Sequence, residues 1–138
     1  MLKNKNSLLL LIPLVVFSWL RCSPAVNDSG EQLYVQHCAS CHMEDGRGLK
    51  RLIPPLANAD YLVKHRQDLA CIMKHGQEGN ITVNGLHYQQ KMPGAEDLTP
   101  DQITNLLNFV QTNFGNNNER FTIPEVSALL DACAAHNH

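Results

Sequence analysis

The sequence predicts a small helical domain, and three observations carry that prediction. Thr99-Pro100-Asp101-Gln102 is a well-formed helix start, with Thr as N-cap, Pro at the first helical position and Gln at the third. Ile103, Leu106, Leu107 and Val110 then recur at helical spacing as one apolar stripe, with Phe109 beside it. Upstream, Asp28 with Glu31, or Ser29 with Gln32, would form a capping box, and Gly30, Tyr34 and Cys38 follow four apart on one helical face. A glycine inside a helix costs about 1 kcal/mol against alanine, which is tolerable where another backbone must come close.

The remaining elements follow in order. The first helix ends in Cys38-Ala39-Ser40-Cys41-His42, and Gly46 and Gly48 open a loop. Ile53-Pro54-Pro55-Leu56 is held extended by its prolines. Two short helices are expected at about Asp60 to His65 and Asp68 to His75, the second with Leu69, Ile72 and Met73 on one face and Gly76 as its stop. Ile81 to Tyr88 alternates around Asn84-Gly85, the signature of a type I′ hairpin. The Thr99 helix should end at Gly115. A polar Asn116-Asn117-Asn118 run precedes a last helix over about 122–134, begun by Thr122 to Glu125 and carrying Val126, Leu129, Leu130 and Cys133. Ala134 to His138 reads as a frayed tail.

The pentapeptide at 38–42 carries the chemistry. Cys-x-x-Cys-His is the attachment signature for c-type haem. Cys38 and Cys41 are three apart, so on one helical turn both thiols can reach the two vinyl groups of one porphyrin, and His42 can bring an imidazole under the iron. Two other readings compete. A redox dithiol wants a βαβ surround, and a structural zinc site wants a second ligand pair at short spacing; the sequence displays neither. A carbonyl in the 53–56 segment, with Pro54 as first choice, could accept the Nδ1–H of His42 and orient the ring; the alternative is a simple surface loop.

The sixth iron position would decide between electron transfer and ligand binding. Met92, in Lys91-Met92-Pro93-Gly94, is the expected ligand, because a thioether from that loop can reach the face opposite His42, and Pro93 keeps Met92 extended. Met43 adjoins His42 and is tied to the wrong face, and Met73 sits on a helical stripe that reads as core. His65, His75 and His87 would give bis-His ligation, while His37, His136 and His138 read as solvent-exposed.

Covalent haem attachment happens outside the cytoplasm, so a leader is expected. Lys3 and Lys5 make a positive start, and Leu8 to Leu20 is an almost wholly apolar run that is short for a membrane span, so residues 1–22 read as a signal peptide. Cys22 sits where a lipoprotein carries its lipidated cysteine, although Arg21 before it is not small; ordinary cleavage nearby and an uncleaved anchor are the alternatives. Residues 23–29 would then be a tether to a domain spanning 30–138, exported to the periplasm or attached to the membrane on that side. Of five cysteines, lipid would take Cys22 and haem Cys38 and Cys41. Cys71 and Cys133 remain as an even pair, expected as a disulfide, with two buried free thiols as the alternative.

Without the leader's Lys3, Lys5 and Arg21, 8 of the 11 basic residues remain against 13 acidic ones, a net charge near −5. That excludes a nucleic-acid binder, which needs clustered positive charge, and permits docking to a basic patch on a redox partner.

The chain resembles the class I c-type cytochromes, specifically the small bacterial single-haem kind, from about Gly30 to Val126. The resemblance rests on Gly30-x3-Tyr34-x3-Cys38-x2-Cys41-His42, Pro54-Pro55-Leu56, Val83-Asn84-Gly85, Met92-Pro93 and Leu106 to Phe109. It implies an all-α cytochrome c fold, three to five helices around one covalent haem c with a small hairpin near it. It also implies a close contact of Gly30 or Tyr34 with Phe109, His/Met ligation and electron shuttling without bond-making catalysis. The stretch from Thr112 to Asn116, followed by Thr122 to Val126, looks like an extension of cytochrome domains attached to oxidases or nitrite reductases. Expected partners are membrane or periplasmic oxidases, reductases or dehydrogenases, with the chain a monomer or one subunit of a complex. A haem protein with a labile sixth ligand, binding small ligands or acting as a peroxidase, is the alternative. Cys71, Cys133 and the helix beyond Gly115 depart from the family pattern.

Overall fold

Ser29 opens the first helix by accepting a hydrogen bond from the Gln32 N–H, 3.3 Å, which leaves Gly30 to begin α1 (Gly30–His37). The structure is a computed structural model and describes residues 29–136, side chains excepted from Ala134 on. The expected leader, Cys22, the tether before Ser29, the alternative cap Asp28 and the tail histidine His138 lie outside the described residues.

The helix does not run unbroken into the pentapeptide. Cys38 adopts φ −121°, ψ −39°, closing α1 and starting a separate four-residue turn, α2 (Ala39–His42). After an extended loop come α3 (Tyr61–Lys64), a 3-10 turn at Arg66–Asp68 and α4 (Leu69–His75), which stops at Gly76 with φ 81°. α5 (Pro100–Thr112) has its full capping box: Gln102 N–H donates to Thr99 Oγ1, 3.3 Å, and Gln102 Oε1 accepts from Thr99 N–H, 2.9 Å. It ends three residues before Gly115, because Asn113 leaves the helix in extended backbone and turns its side-chain amide back onto the Phe109 carbonyl, 2.8 Å. The last helix, α6 (Ile123–His136), starts one residue later than expected and takes in Ala134 to His136 of the stretch read as a frayed tail.

Two antiparallel ribbons qualify the all-α expectation. β2 (Ile81–Val83) and β3 (Leu86–Tyr88) form the expected hairpin, with Asn84 at φ 50° and Gly85 at φ 77° as the type I′ turn requires. The second pairs β1 (Gly76–Gln77) with β4 (Met92–Pro93), placing Gln77 opposite Met92. Two-residue strands show no period, so no sequence pattern announced it. The described residues thus hold six α-helices, beyond the three to five expected, because the helix expected to carry the pentapeptide is broken at Cys38.

α1 and α5 make the closest contact in the core. A Cβ on Gly30 would lie 2.2 Å from the Asn105 carbonyl oxygen and 2.7 Å from Phe109 Cβ, so a side chain there would force the helices apart. Tyr34, Phe109 and Phe114 gather beside it, with ring centroids 4.9 to 5.5 Å apart. The stripe Ile103, Leu106, Leu107 and Val110 is buried, together with Leu33, Leu62, Leu69 and Val126.

α6 packs against α4 and α5. A disulfide joins Cys71 on α4 to Cys133 on α6, with Cα atoms 5.9 Å apart. Arg66 ties down the segment between α5 and α6. Its guanidinium donates to the carbonyls of Glu119 (2.8 Å) and Arg120 (3.0 Å), pairs with Glu125 (3.0 Å), and lies 3.7 Å over the Phe121 ring.

Candidate functional site: an apolar cleft with one imidazole and two kinds of sulfur

His42 closes α2 and is buried, only 6% exposed. Its Nδ1 lies 3.0 Å from the Pro54 carbonyl oxygen. A carbonyl can only accept, so Nδ1 carries the proton and Nε2 of the neutral ring keeps its lone pair. Burial lowers the His42 pKa, and the Pro54 contact opposes that more weakly, so the imidazole is neutral at physiological pH. An imidazole held this way is prepared to ligate a metal.

Gly48 makes the contact geometrically possible. Its N–H donates to the His42 carbonyl, 2.9 Å. A Cβ on it would lie 2.4 Å from the Ile53 oxygen and 2.5 Å from the Pro54 oxygen, so only glycine lets the Ile53–Pro54 segment fold back against the pentapeptide. A β-bridge between Leu49 and Ile53 closes the same loop.

His42 lines a cleft of about 670 Å³ whose walls are mostly apolar, among them Leu56, Leu69, Ile72, Val83 and Leu107. Cys38 and Met92 face the same space. An adjoining hollow is lined by Cys41, Ile53, Gln90, Lys91 and Pro93, and His42, Pro54 and Met92 border both. Of the four residues expected to engage a haem, Cys38, His42 and Met92 line the cleft, and exposed Cys41 lines the adjoining hollow, which it shares with His42 and Met92.

The competing sixth ligands are distributed differently. His65 stacks on Tyr61 at 4.0 Å, His87 sits 3.0 Å from the Thr82 hydroxyl, and neither they nor His75 line the cleft. Met43 caps α2 with its carbonyl accepting from the buried Tyr34 hydroxyl, 2.6 Å, and it too is absent from the walls. Met73 does line the cleft, as a partly buried side chain packed against the core.

The chemistry of the donors fits haem c and disfavours the other two readings. Burial, with a smaller contribution from Cys41, pushes the Cys38 thiol up to about 12, the reverse of a reactive dithiol. Among the described residues no three His, Cys, Asp or Glu side chains converge as a metal-binding group, so a closed zinc site has no ligand set. A large, flat, mostly apolar group with metal positions for one imidazole and one thioether suits these walls. Tyr61 and Gln77, hydrogen-bonded to each other at 2.7 Å, add polar groups to the lining. Sequence reasoning missed that pair; it placed Gly48 at the loop opening but not its close approach to Ile53 and Pro54.

A family model described as Cytochrome c matches residues 28–114. The chain belongs to the cytochrome c family. Cytochrome c-552 of Thermus thermophilus is 33% identical over 109 residues, covering 72% of this chain and 82% of that protein. The cytochrome c subunit of Alcohol dehydrogenase (quinone) from Gluconacetobacter polyoxogenes is 34% identical over 109 residues, covering 76% of this chain and 23% of that longer subunit. The same subunit of Gluconobacter oxydans is 34% identical over 92 residues, covering 65% of this chain and 19% of its own length. As a cytochrome c, the chain carries covalently attached haem c and functions in electron transfer. The match stops before α6, so the disulfide-linked extension lies beyond the part the family model describes.

Proposed function

We propose that this cytochrome c is a single-haem, one-electron carrier. In this reading Cys38 and Cys41 would hold the haem through two thioether links, His42 Nε2 and the Met92 sulfur would ligate its iron, and the Pro54 carbonyl would orient the imidazole. The observation that carries the reading is the convergence of Cys38, His42 and Met92 on one apolar cleft, with His42 oriented through Nδ1 so that Nε2 is free. Bound there, haem c supplies a one-electron couple, and two fixed axial donors keep its reorganisation small. The apolar walls disfavour water, and Cys41, unlike buried Cys38, is exposed to solvent, so its side of the haem would be the port for the electron. The chain itself makes and breaks no substrate bonds.

The site of action in this proposal is outside the cytoplasm, with the 1–22 segment as leader and Cys22 as a lipid anchor. Partners are periplasmic or membrane redox proteins. The relatives named as cytochrome c subunits of Alcohol dehydrogenase (quinone) support work within or beside a dehydrogenase complex. Local charge refines the expected partner. The loop after the pentapeptide carries Lys50 and Arg51, which make no ion pair among the described residues, beside exposed Leu49 and Leu52; Leu86, just after the hairpin turn, is exposed too. Arg51 lines shallow hollows with Leu52, Leu86 and His87. A net-acidic chain thus presents a basic, partly apolar rim around Arg51, which suits an acidic-rimmed partner where net charge alone would favour a basic one.

Mass spectrometry of the natively exported chain tests the attachment: one haem added at Cys38 and Cys41 is expected, and an unmodified chain would overturn it. A weak absorption band near the red edge in the oxidised protein, lost in Met92→Ala, is expected from iron–sulfur ligation. A band that survives that substitution would remove Met92 from the site. Rapid and complete carbon monoxide binding by the native reduced protein would favour the labile-ligand reading instead.

A further inference from the structure

We propose that Lys74 is a positioning residue that keeps the Met92 thioether on the cleft by clamping the Met92–Leu98 loop to the end of α4. The proposal rests on the Met92 assignment above and extends it to a group that does not face the cleft.

The loop is built on α4. β1 continues α4 directly and pairs with β4, setting Gly76 opposite Pro93 and Gln77 opposite Met92. Two backbone approaches at this seam admit no side chain. A Cβ on Gly76 would lie 2.3 Å from the Met92 oxygen, and one on Gly94 would lie 2.5 Å from the Lys74 oxygen. Beyond Gly94 the chain must still travel to the Thr99 cap. Over that span α4 holds it by three hydrogen bonds: the Ala95 N–H donates to the Met73 carbonyl, 2.9 Å, and Lys74 Nζ donates to the carbonyls of Glu96 and Leu98, the latter at 2.8 Å. Two of the three therefore pass through one ammonium group.

Lys74 is half-buried and makes no ion pair among the described residues, although Glu96 and Asp97 lie in the loop it grips. Its donors are spent on backbone carbonyls, which fixes the course of the loop rather than a side chain. An ammonium offers three donors on a flexible stem, so it can hold two carbonyls at once, and its charge strengthens both bonds. Without it, the two-residue ribbon and a single N–H would be left to hold Met92 against the cleft. The thioether would then leave its position more often, and an external donor could take its place. That exchange moves no electron and no proton; one donor atom replaces another.

Imidazole entry into the oxidised, haem-loaded protein tests the proposal, followed by stopped-flow absorption and by loss of the iron–sulfur band. Lys74→Met keeps the stem and deletes the donors. Losing hydrogen bonds to a charged donor predicts imidazole entry faster by about tenfold to a hundredfold. Lys74→Arg, which restores a cationic donor, should return the rate toward that of the wild type. A Lys74→Met protein with wild-type entry kinetics overturns the clamp, even if its thermal midpoint falls. If Lys74→Met does not accumulate with haem, Lys74→Leu, which also lacks donors, carries the same expectation. Met92→Ala separates the two proposals. Fast entry in Met92→Ala with wild-type entry in Lys74→Met sinks the clamp alone; wild-type entry in Met92→Ala sinks the ligand assignment and the clamp with it.

Discussion

Asp60 and Asn84 are clasped reciprocally across 24 residues: the Asn84 N–H donates to Asp60 Oδ1 at 2.7 Å, and the Asp60 N–H donates to Asn84 Oδ1 at 3.0 Å. The turn of the hairpin is thereby fastened to the start of α3, whose Tyr61 and Leu62 line the cleft. Val83, next to Asn84, lines it too. A turn that sequence reads as local is here a tertiary joint.

The joint should be sensitive to acid. The Lys64 ammonium on Asp60 Oδ2 (2.7 Å), followed by the Asn84 N–H, holds the Asp60 carboxyl below the ordinary aspartate range. A depressed folded-state pKa contributes stability that is present above the unfolded value and lost as pH falls through the folded one. Asp60→Asn should therefore unfold at a lower temperature than the wild type at neutral pH, and the gap should close as pH drops below the ordinary aspartate range. A gap independent of pH would show that the charge is not what holds the joint.

Gly30→Ala should be destabilising despite alanine's better helix propensity. The added methyl meets the Asn105 carbonyl at 2.2 Å and Phe109 Cβ at 2.7 Å, and backbone cannot yield as a side chain would. Overpacking of that kind costs about 1 to 3 kcal/mol, against about 1 kcal/mol gained in propensity. Thermal unfolding of the haem-loaded variant reads the balance, and an unchanged or raised midpoint would contradict the close crossing of α1 and α5.

Replacing Cys71 and Cys133 together by Ser should lower stability without touching the haem spectrum. The disulfide closes a separation of 62 residues, for which the usual range is about 2 to 4 kcal/mol. Neither cysteine lines the cleft, so visible absorption in both oxidation states should match the wild type. A changed spectrum would mean that the extension reaches the site through α4.

Lys50 and Arg51 should set the sign of the ionic-strength effect on electron exchange. Oxidation of the reduced protein by ferricyanide transfers one electron to the anion. If the basic rim governs approach, added salt should slow the reaction, because the Debye length shrinks below about 10 Å. Charge reversal at Arg51→Glu should weaken or invert that dependence. If the net charge near −5 governs instead, salt should accelerate the wild-type reaction.

Much of this was legible in one dimension because the signals were chemical or periodic. The Thr99 capping box, the Ile103–Val110 stripe, the Gly76 stop and the Asn84-Gly85 turn each depend on neighbours within a few residues, and each appears where those neighbours put it. The β1–β4 ribbon and the Lys74 clamp were invisible because their partners are distant in the chain and carry no pattern of their own. The break at Cys38 escaped for a related reason. Nothing in the local sequence stops the helix there; the redirected backbone instead leaves Cys38 buried between α1 and α2.

The sequence by itself determined the cofactor class and the helical framework, since a pentapeptide of thiols and imidazole and a few caps are local facts. Tertiary structure decided which groups share the cleft: it gathered Met92 and Met73 there, left His65, His75 and His87 elsewhere, and laid a basic rim on an acidic chain. The physical reason is that ligation and docking depend on distance in space, and burial sets those distances by packing segments whose separation along the chain carries no record of their meeting.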